Sequence, residues 1–419
     1  MADTFHSTAG LREALADASF DRPPALVANA HITGLGVARA LAARDVPVIA
    51  LDRTGRGVAS PSEAVAYAGQ VTYPLDDLDA FREDVEAITT ELGHEPVAFA
   101  CMDGWVHAFA EARPEGVRLS FDDRTYGDVL DKEALYRRCA DLGVPYPETY
   151  SLDEVDPGEA ADRLGFPLVV KPARKREGEA VLGTNVLEID DEEDLTSVVA
   201  TAEDADLRLL LQERVDVAVG EDRSLASYVP PSGVEDAVGI VGNARVRNPT
   251  GYGTSCVVER VESPELAEQA YDLLADAGYH GISESEFVYD ERRGEYVLID
   301  LNTRPWKWIG LPVEAGADLP YAAYAETVGD GAVTGVGATA DSDEVTDATW
   351  VYLRDYLEVL ATEPSFADVL DGETWTSFVS GRFESERGLT TGVYAPSDPE
   401  PTARLLRTVF SSMEYYCSC

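Results

Sequence analysis

The feature that most constrains the fold is a run of strand-like, turn, helical and strand-like segments between residues 25 and 52. ALVANA and PVIALD have the length and apolar content of buried strands, and VARALAARDV between them has the composition of a helix. This order predicts a β-α-β unit at the start of a doubly wound α/β domain. The turn contains Gly34-x-Gly36, but Arg39 stands where a dinucleotide fingerprint needs a third small residue. Close helix-on-strand packing therefore explains the turn better than a nicotinamide site does.

The strand ends of this first domain are candidate substrate positions, because ligands of open α/β sheets bind at the carboxyl ends of parallel strands. Asn29 and His31 belong to the turn at the end of the first strand, and a later strand, PVAFACMD, ends at Asp103. We expect these three side chains to face a substrate. Roles in turns or helix caps are the alternative.

Charge limits the classes of function. The 419 residues include 78 acidic and 33 basic side chains, which gives a formal net charge of −45. Only four of the basic residues are lysines, and this composition is similar to that of proteins from halophilic archaea, where molar salt reduces the Debye length to about 3 Å. Such acidity excludes nucleic-acid binding through a broad basic face.

Other features bear on the compartment. The sequence has no run of 18 or more uncharged apolar residues, its first residues do not form a signal peptide, and its five cysteines do not indicate a disulfide framework. We therefore expect a cytoplasmic protein without a membrane span.

Local patterns divide the rest of the chain. Residues 131–143 are typical of a helix, and LVVKPA, TNVLEI and LRLLLQERV are typical of strands. Further strands are expected at 225–229 and 237–242, a helix at 264–277, and a hairpin formed by SESEFVYD, the turn ERRG and EYVLIDLN. These patterns predict five segments: a doubly wound domain at 1–130, α+β units at 131–215 and 216–330, a linker at 331–347 and a C-terminal extension at 348–419.

Positive charge is concentrated at one strand end. Four of the six residues from 171 to 176 are Lys or Arg, and a loop that contains Gly178 follows them. In an acidic chain this arrangement favours a bound phosphate, which basic side chains and backbone N–H groups would surround. The alternative is a set of surface cations that balances neighbouring acids.

The predicted hairpin carries a second group of polar residues. Asp300 and Asn302 are two positions apart on one strand and therefore share a face, and a turn centred near Arg293 would place Glu286 opposite Asp300. Two carboxylates and an amide oxygen are suitable ligands for Mg²⁺. Without a metal the facing carboxylates would repel each other, unless both pair with Arg304 and other cations.

The order of these motifs resembles the ATP-grasp superfamily. The matching residues, in chain order, are Lys132, Lys171, Gln212-Glu213-Arg214-Val215, Glu286-Phe287 and Asp300-x-Asn302-x-Arg304. The following segment, RPWKWIGLPVEAGADLPYAAY, resembles the carboxylate–amine ligase branch. The resemblance covers residues from about 25 to 330. It implies a fold of mixed α/β and α+β class: a doubly wound N-terminal domain, an ATP-grasp fold of two α+β subdomains and a small C-terminal extension.

The same resemblance implies an activity. The protein would join a small-molecule carboxylate to an amine through an acyl phosphate, with release of ADP and phosphate. It would use ATP and Mg²⁺, for which Mn²⁺ is an alternative, and a homodimer is compatible with this function.

Roles for individual residues also follow from the resemblance. The residues that would contact the ATP phosphates are Lys132, Lys171, Lys175 and Gly178. Adenine would lie against Gln212, Glu213, Arg214 and Val215, and the ribose hydroxyls would bind Glu221 or Asp222. The metal would be bound by Glu286, Asp300 and Asn302. Arg304 would steady the transferring phosphoryl group, and Arg245 and Arg247, spaced to share a strand face, would point into the site. Trp306 and Lys307 would border the acceptor pocket, although large apolar residues such as Trp306 also suit a core.

One departure leaves alternatives open. Related ligases often carry a further basic residue after the glycine loop, where this chain has Thr184 and Asn185. Either Lys175 or Arg176 replaces that residue, or the phosphates are held more weakly. A catalytically degenerate ATP-binding regulatory module and a carboxylating enzyme similar to biotin carboxylase are the two alternative functions.

Overall fold

The computed structural model describes residues 5–174, 178, 181–184, 186–251, 253–330 and 347–409. The first domain is built on a parallel sheet whose strands are β1 (Phe5–His6), β2 (Ala25–Ala28), β3 (Val48–Asp52), β4 (Tyr67–Gln70), β5 (Val97–Ala100) and β6 (Arg118–Leu119). Their order is β1-β4-β3-β2-β5-β6. The long helices of this domain are α1 (Thr8–Ala16), α2 (Ile32–Ala42), α3 (Leu78–Thr89) and α4 (Asp103–Ala112). The central strands are fully buried, because helices cover both faces of the sheet.

Two helices, α5 (Tyr126–Leu130) and α6 (Lys132–Leu142), lead to a small antiparallel sheet. Its strands are β7 (Thr149–Ser151), β8 (Leu168–Pro172), β9 (Leu187–Ile189) and β10 (Leu209–Glu213), in the order β7-β10-β8-β9. The helices α7 (Pro157–Leu164) and α8 (Glu192–Asp204) pack on this sheet in a separate apolar core.

The large sheet follows. Its strands are β11 (Asp222–Val229), β12 (Val238–Asn248), β13 (Thr254–Val261), β14 (Gly281–Asp290), β15 (Glu295–Asn302), β16 (Thr349–Val351) and β17 (Leu389–Thr391), in the order β15-β14-β11-β12-β13-β16-β17. The accompanying helices are α9 (Pro264–Asp276), α10 (Gly310–Glu314), α11 (Leu319–Val328), α12 (Leu353–Thr362), α13 (Gly372–Ser380) and α14 (Pro399–Val409). Short 3₁₀ turns span Val234–Asp236, Pro364–Val369 and Arg382–Glu384. No helix in these described ranges is long and apolar enough to cross a membrane.

Helix α6 packs with the large unit, although the sequence placed it at the start of the smaller one. Leu135 and Cys139 of α6 lie in one apolar core with Leu266 and Leu274 of α9. The apolar face of α6 is therefore buried against α9, and the small sheet begins later in the chain, at Thr149.

The segment expected to be a separate C-terminal extension completes the large sheet instead. β16 pairs with β13, β17 pairs in parallel with β16, and Trp350 is buried in the core that the large sheet shares with the first domain. The predicted linker at 331–347 lies outside the described residues, except for Asp347.

Candidate active site

One face of the large sheet is apolar at one end and charged at the other. Tyr228 of β11 and Ile282 of β14 join the core shared with the first domain. Alternate residues of a strand share a face, so Asp222 lies on the same side of β11, and Glu284 and Glu286 on the same side of β14. The charged end of this face does not join the apolar core, so it contacts other polar groups or a ligand.

We refer to this charged end as the polar cluster. Its members are Lys132, Asp222, Arg247, Glu284, Glu286, Asp300, Asn302 and Arg304, joined by Asp103 of the first domain. In the ladder between β14 and β15, Glu286 lies opposite Asp300 and Glu284 opposite Asn302. The prediction that Glu286 faces Asp300 is therefore confirmed.

Lys132 reaches the polar cluster from the first turn of α6. Asp131 caps this helix by accepting hydrogen bonds from the N–H groups of Glu133 and Ala134. The buried ammonium of Lys132 donates to Asp300 Oδ1 at 2.6 Å. Burial acts to lower the pKa of Lys132, but the adjacent Asp300 carboxylate holds it above its ordinary value. Lys132 is thus charged and, in this structure, bound to a predicted metal ligand.

Glu284 is a member of the polar cluster that the sequence analysis missed. Its side chain is almost fully buried, and Oε2 accepts a hydrogen bond from Asn302 Nδ2 at 3.3 Å. Burial raises the pKa of Glu284 well above its ordinary value, and the charge of Glu286 raises it further. The spacing of Glu284 and Glu286 in SESEF was the available signal, since residues two apart on a strand share a face.

Arg304 connects the large sheet to the first domain. Its Nε donates to Asp103 Oδ1, and its Nη2 donates to Asp103 Oδ2 at 3.4 Å. Asp103 is the first residue of α4, just beyond the carboxyl end of β5. The expected substrate position at Asp103 and the expected phosphoryl-binding position at Arg304 are therefore in direct contact.

Arg247 lies within the polar cluster, whereas Arg245 extends to its edge. Arg247 Nε donates to the buried Asp222 at 2.6 Å, and the pKa of Arg247 is raised by Glu286 and Asp222 in spite of its burial. Arg245 pairs with Glu259 at 3.0 Å, and 43% of its side chain is exposed. The expectation that both arginines share a strand face fails, because β-bulges between Ala244 and Arg247 interrupt the alternation.

The loop predicted to bind phosphate begins close to Lys132. Lys171 is buried on β8, and two residues later the carbonyl of Ala173 accepts a hydrogen bond from the Lys132 N–H at 3.0 Å. Gly178 lies so close to Pro172 that a Cβ atom would be 2.2 Å from its Cγ, so only glycine fits there. The predicted phosphate ligand Lys175 lies outside the described residues.

The predicted adenine-binding segment joins the small sheet to the large one. Gln212 donates to Thr149 Oγ1 at 2.8 Å, Glu213 accepts from Arg293, and Arg214 pairs with Glu188 at 2.8 Å. These three side chains are engaged within the protein. An adenine at this segment would therefore meet backbone groups and the half-buried Val215.

The two candidate ribose ligands differ in access. Asp222 is buried against Arg247, whereas half of the Glu221 side chain is exposed and accepts a hydrogen bond from Tyr296 at 3.2 Å. Glu221 is therefore the more accessible of the two carboxylates.

Asn29 and His31 lie at a strand end in the first domain and contact other residues of that domain. Asn29 adopts a φ of 73° and donates to the carbonyl of Cys101 at 3.3 Å. His31 Nε2 is 3.7 Å from Asp52 Oδ2. Burial lowers the pKa of His31 to about 4 and raises the pKa of Asp52 to about 7. Both groups are consequently neutral over much of the range between these values.

Trp306 and Lys307 are buried in the structure, and their place beside an acceptor pocket stays a prediction. The rings of Trp306 and Trp308 are buried with centroids 5.0 Å apart. Lys307 Nζ donates to Asp355 at 2.5 Å and to Thr254 at 2.9 Å. Lys307 therefore links Asp355 of α12, in the C-terminal region, to Thr254 of β13 in the large sheet.

The donor set of the polar cluster fits a divalent cation. Glu286, Asp300 and Asn302 offer two carboxylates and an amide oxygen on facing strands, and oxygen donors of this type suit Mg²⁺, which also retains water and binds phosphate oxygens. Within the described part of the chain, no group of three or more His, Cys, Asp and Glu side chains is arranged to hold a metal ion. The protein would thus supply only part of the coordination.

Sequence comparison finds ligases and a synthase among the similar proteins. The D-alanine–D-alanine ligase of Mannheimia succiniciproducens is 29% identical over 175 residues, which are 40% of this chain and 52% of that protein. The C-terminal section of the carbamoyl phosphate synthase large chain from Methanopyrus kandleri is 25% identical over 219 residues, 47% of this chain and 38% of that section. The chain thus spans about half or less of the length of these curated relatives, and no family model matches it.

Structure comparison covers more of the chain. The N5-carboxyaminoimidazole synthetase of Staphylococcus aureus, also solved with ADP, matches 83% of this chain and 86% of its own length, with a TM-score of 0.60 and 13% identity. A biotin carboxylase from Campylobacter jejuni matches 76% of this chain and 73% of its own, with a TM-score of 0.59 and 12% identity. These similarities establish an ATP-grasp fold for the chain.

Proposed function

We propose that the protein is an ATP-dependent ligase that joins a carboxylate to an amine and releases ADP and phosphate. The observation that carries this proposal is the polar cluster, in which three cations and several carboxylates lie together on one face of the large sheet of an ATP-grasp fold. Such a cluster can bind a charged phosphoryl group and stabilise it during transfer.

The nucleotide would lie between the small and large sheets. The phosphates would contact Lys171, Lys132, Lys175 and the backbone near Gly178, the adenine would meet the backbone from Gln212 to Val215, and Glu221 would accept the ribose hydroxyls. The metal would be held by Glu286, Asp300 and Asn302. The proximity of the Lys132 backbone to the end of β8 supports this arrangement, because it places the start of α6 beside the strand that carries Lys171.

When bound, Mg²⁺ would neutralise charge on the phosphate oxygens. The carboxylate substrate would attack the γ-phosphorus, the bond to the β,γ-bridging oxygen would break, and ADP would leave with that oxygen. The amine would then attack the acyl carbon and displace phosphate. Arg304 and Arg247 would stabilise the negative charge that moves through the site, and their burial strengthens each interaction.

The first domain would supply one wall of the acceptor site. Its contribution to the polar cluster is Asp103, which lies at the carboxyl end of β5 in direct contact with Arg304. A carboxylate substrate would compete with Asp103 for the same guanidinium group. The substrates themselves would be small molecules recognised between this wall and Arg304.

The test is a screen of carboxylate and amine pairs, scored by ADP release with ATP and Mg²⁺ in molar salt. We expect sustained ADP release that requires one carboxylate and increases with one amine. The Arg304→Ala variant should lack this activity, and Arg137→Ala, which removes an exposed arginine from α6, should retain it. Nucleotide binding without substrate-dependent ADP release from any pair would favour a regulatory module instead, and release that requires bicarbonate and biotin would favour a carboxylating enzyme.

A further inference from the structure

Asp300 is already occupied by a cation that belongs to the protein. The Lys132 ammonium lies 2.6 Å from Asp300 Oδ1, and the same oxygen accepts the backbone N–H of Leu301 at 3.0 Å. A divalent cation bound to that carboxylate would have to approach to about 2.1 Å. The two cations would then repel each other at short range in a partly buried site.

The charge of the polar cluster favours an exchange of these cations. The cluster contains five acidic side chains but only three cations, Lys132, Arg247 and Arg304, and each cation is bound to an aspartate. A triphosphate that approached this cluster alone would meet an excess of carboxylates. A divalent cation would offset this excess of negative charge and would also displace Lys132 from Asp300.

Lys132 is placed so that its side chain can exchange partners while its backbone stays fixed. The start of α6 is held by the Asp131 cap, by the hydrogen bond to Ala173 and by Arg208, which pairs with Asp131 at 2.7 Å. The end of β8, which carries Lys171, lies against this point. A flexible lysine side chain can therefore turn from Asp300 to a phosphate held by Lys171 without movement of the helix.

We infer that Lys132 is the resident counter-ion of Asp300 in the free protein and that it must pass to a nucleotide phosphate before a divalent cation binds Asp300 with full affinity. Nucleotide and cation therefore strengthen each other's binding through one side chain, in addition to their direct contact. This inference rests on the proposed function, since it takes the metal ligands and the phosphate site from it.

The experiment measures Mn²⁺ binding by electron paramagnetic resonance, with and without a non-hydrolysable ATP analogue, for the wild-type chain, Lys132→Met and Arg137→Met. Without nucleotide, Lys132→Met should bind Mn²⁺ about tenfold more tightly than the wild type, because the competing charge is gone. Arg137→Met removes an exposed charge from the same helix and should stay within about twofold of the wild type. The factor by which the analogue strengthens Mn²⁺ binding should be smaller in Lys132→Met.

Equal Mn²⁺ affinities for the two variants would overturn the inference and leave the proposed function intact. If Lys132→Met does not fold, the Mn²⁺ affinity of the wild type with and without the ATP analogue is the test. An affinity that the analogue leaves unchanged also overturns the inference. A wild-type chain that binds neither the analogue nor Mn²⁺, alone or together, would contradict the proposed function itself.

Discussion

Two of the chain's four lysines form buried ion pairs of nearly the same length in very different surroundings. Lys132 lies 2.6 Å from Asp300 in the polar cluster, and Lys307 lies 2.5 Å from Asp355 in the core beneath the C-terminal region. Both ammonium groups are almost completely buried. Burial and pair length alone do not distinguish the two sites.

The partners of the two lysines do distinguish them. Lys307 contacts the Asp355 carboxylate, the Thr254 hydroxyl and the ring of Tyr352, whose centroid lies 4.5 Å away, and the Asp355 side chain is only 10% exposed. Asp300 is 26% exposed and lies opposite a second carboxylate, Glu286. The Lys307–Asp355 pair is buried with one charge of each sign, and such a pair holds one structure in place. Next to Lys132 the carboxylates are in excess and partly accessible, which leaves negative charge for a ligand to neutralise.

The largest expected effect is on folding, at Lys307. Lys307→Met should lower the free energy of unfolding by about 3–5 kcal/mol, because Asp355 would be buried without its partner. Urea denaturation in molar salt measures this loss. The double variant with Asp355→Leu should recover much of it. A stability loss below about 1 kcal/mol in the single variant would contradict the structural role of the pair.

The next effect concerns turnover. Arg304→Ala should reduce ADP formation by about 10²–10³-fold, because the transferring phosphoryl group would lose a preorganised positive charge, while nucleotide affinity changes little. Single-turnover ADP release and calorimetric titration separate the two quantities. Near-normal ADP formation would remove Arg304 from the mechanism, and Arg137→Ala serves as the control.

Much of the polar cluster could be predicted from local sequence because its geometry is local. The short turn pairs Asp290 with Glu295 and Phe287 with Leu298, and a one-residue register shift between Glu286 and Phe287 then places Glu286 opposite Asp300. The same alternation failed at Arg245, where a β-bulge changes the spacing without any glycine or proline to indicate it.

Long-range packing could not be predicted in this way. The pairing of β13 with β16 joins segments about 90 residues apart, and nothing in TWV specifies which strand edge it extends. For the same reason the contact between Lys307 and Asp355 could not be predicted, since the two residues lie 48 positions apart in the chain. Helix α6 was assigned to the wrong unit because its apolar face matches α9 only in three dimensions.

A smaller effect is expected at Asp300. Asp300→Asn removes one unit charge from the metal ligands, so the cation affinity measured with the ATP analogue, which would already have drawn Lys132 away from residue 300, should fall about tenfold. Asp355→Asn is the matched control, since it frees the other buried lysine and should leave cation affinity unchanged. An Mn²⁺ titration of Asp300→Asn that matches the wild type would exclude Asp300 as a metal ligand.

The smallest effect tests a third buried pair, His31 and Asp52, which are 3.7 Å apart. The folded pKa of His31 is lowered to about 4, so its contribution to stability is present above the unfolded value of about 6.5 and is lost as the pH falls towards 4. The folded pKa of Asp52 is raised to about 7, so its contribution is present below about 3.9 and is lost as the pH rises towards 7.

These opposite slopes should nearly cancel in the wild type between about pH 4.5 and 6. Asp52→Asn removes one slope, so its stability relative to the wild type should rise with pH by up to about 1.4 kcal/mol per unit. His31→Gln should show the reverse trend. Urea denaturation across this pH range measures the stability of both variants. If stability against pH runs parallel to that of the wild type, His31 and Asp52 are both charged, as the two lysines and their aspartates are. Parallel stability curves would also show that burial and a nearby partner are enough to keep this pair ionised. Opposite pH slopes for the two variants would show that ionisation requires close contact, as in the two lysine pairs.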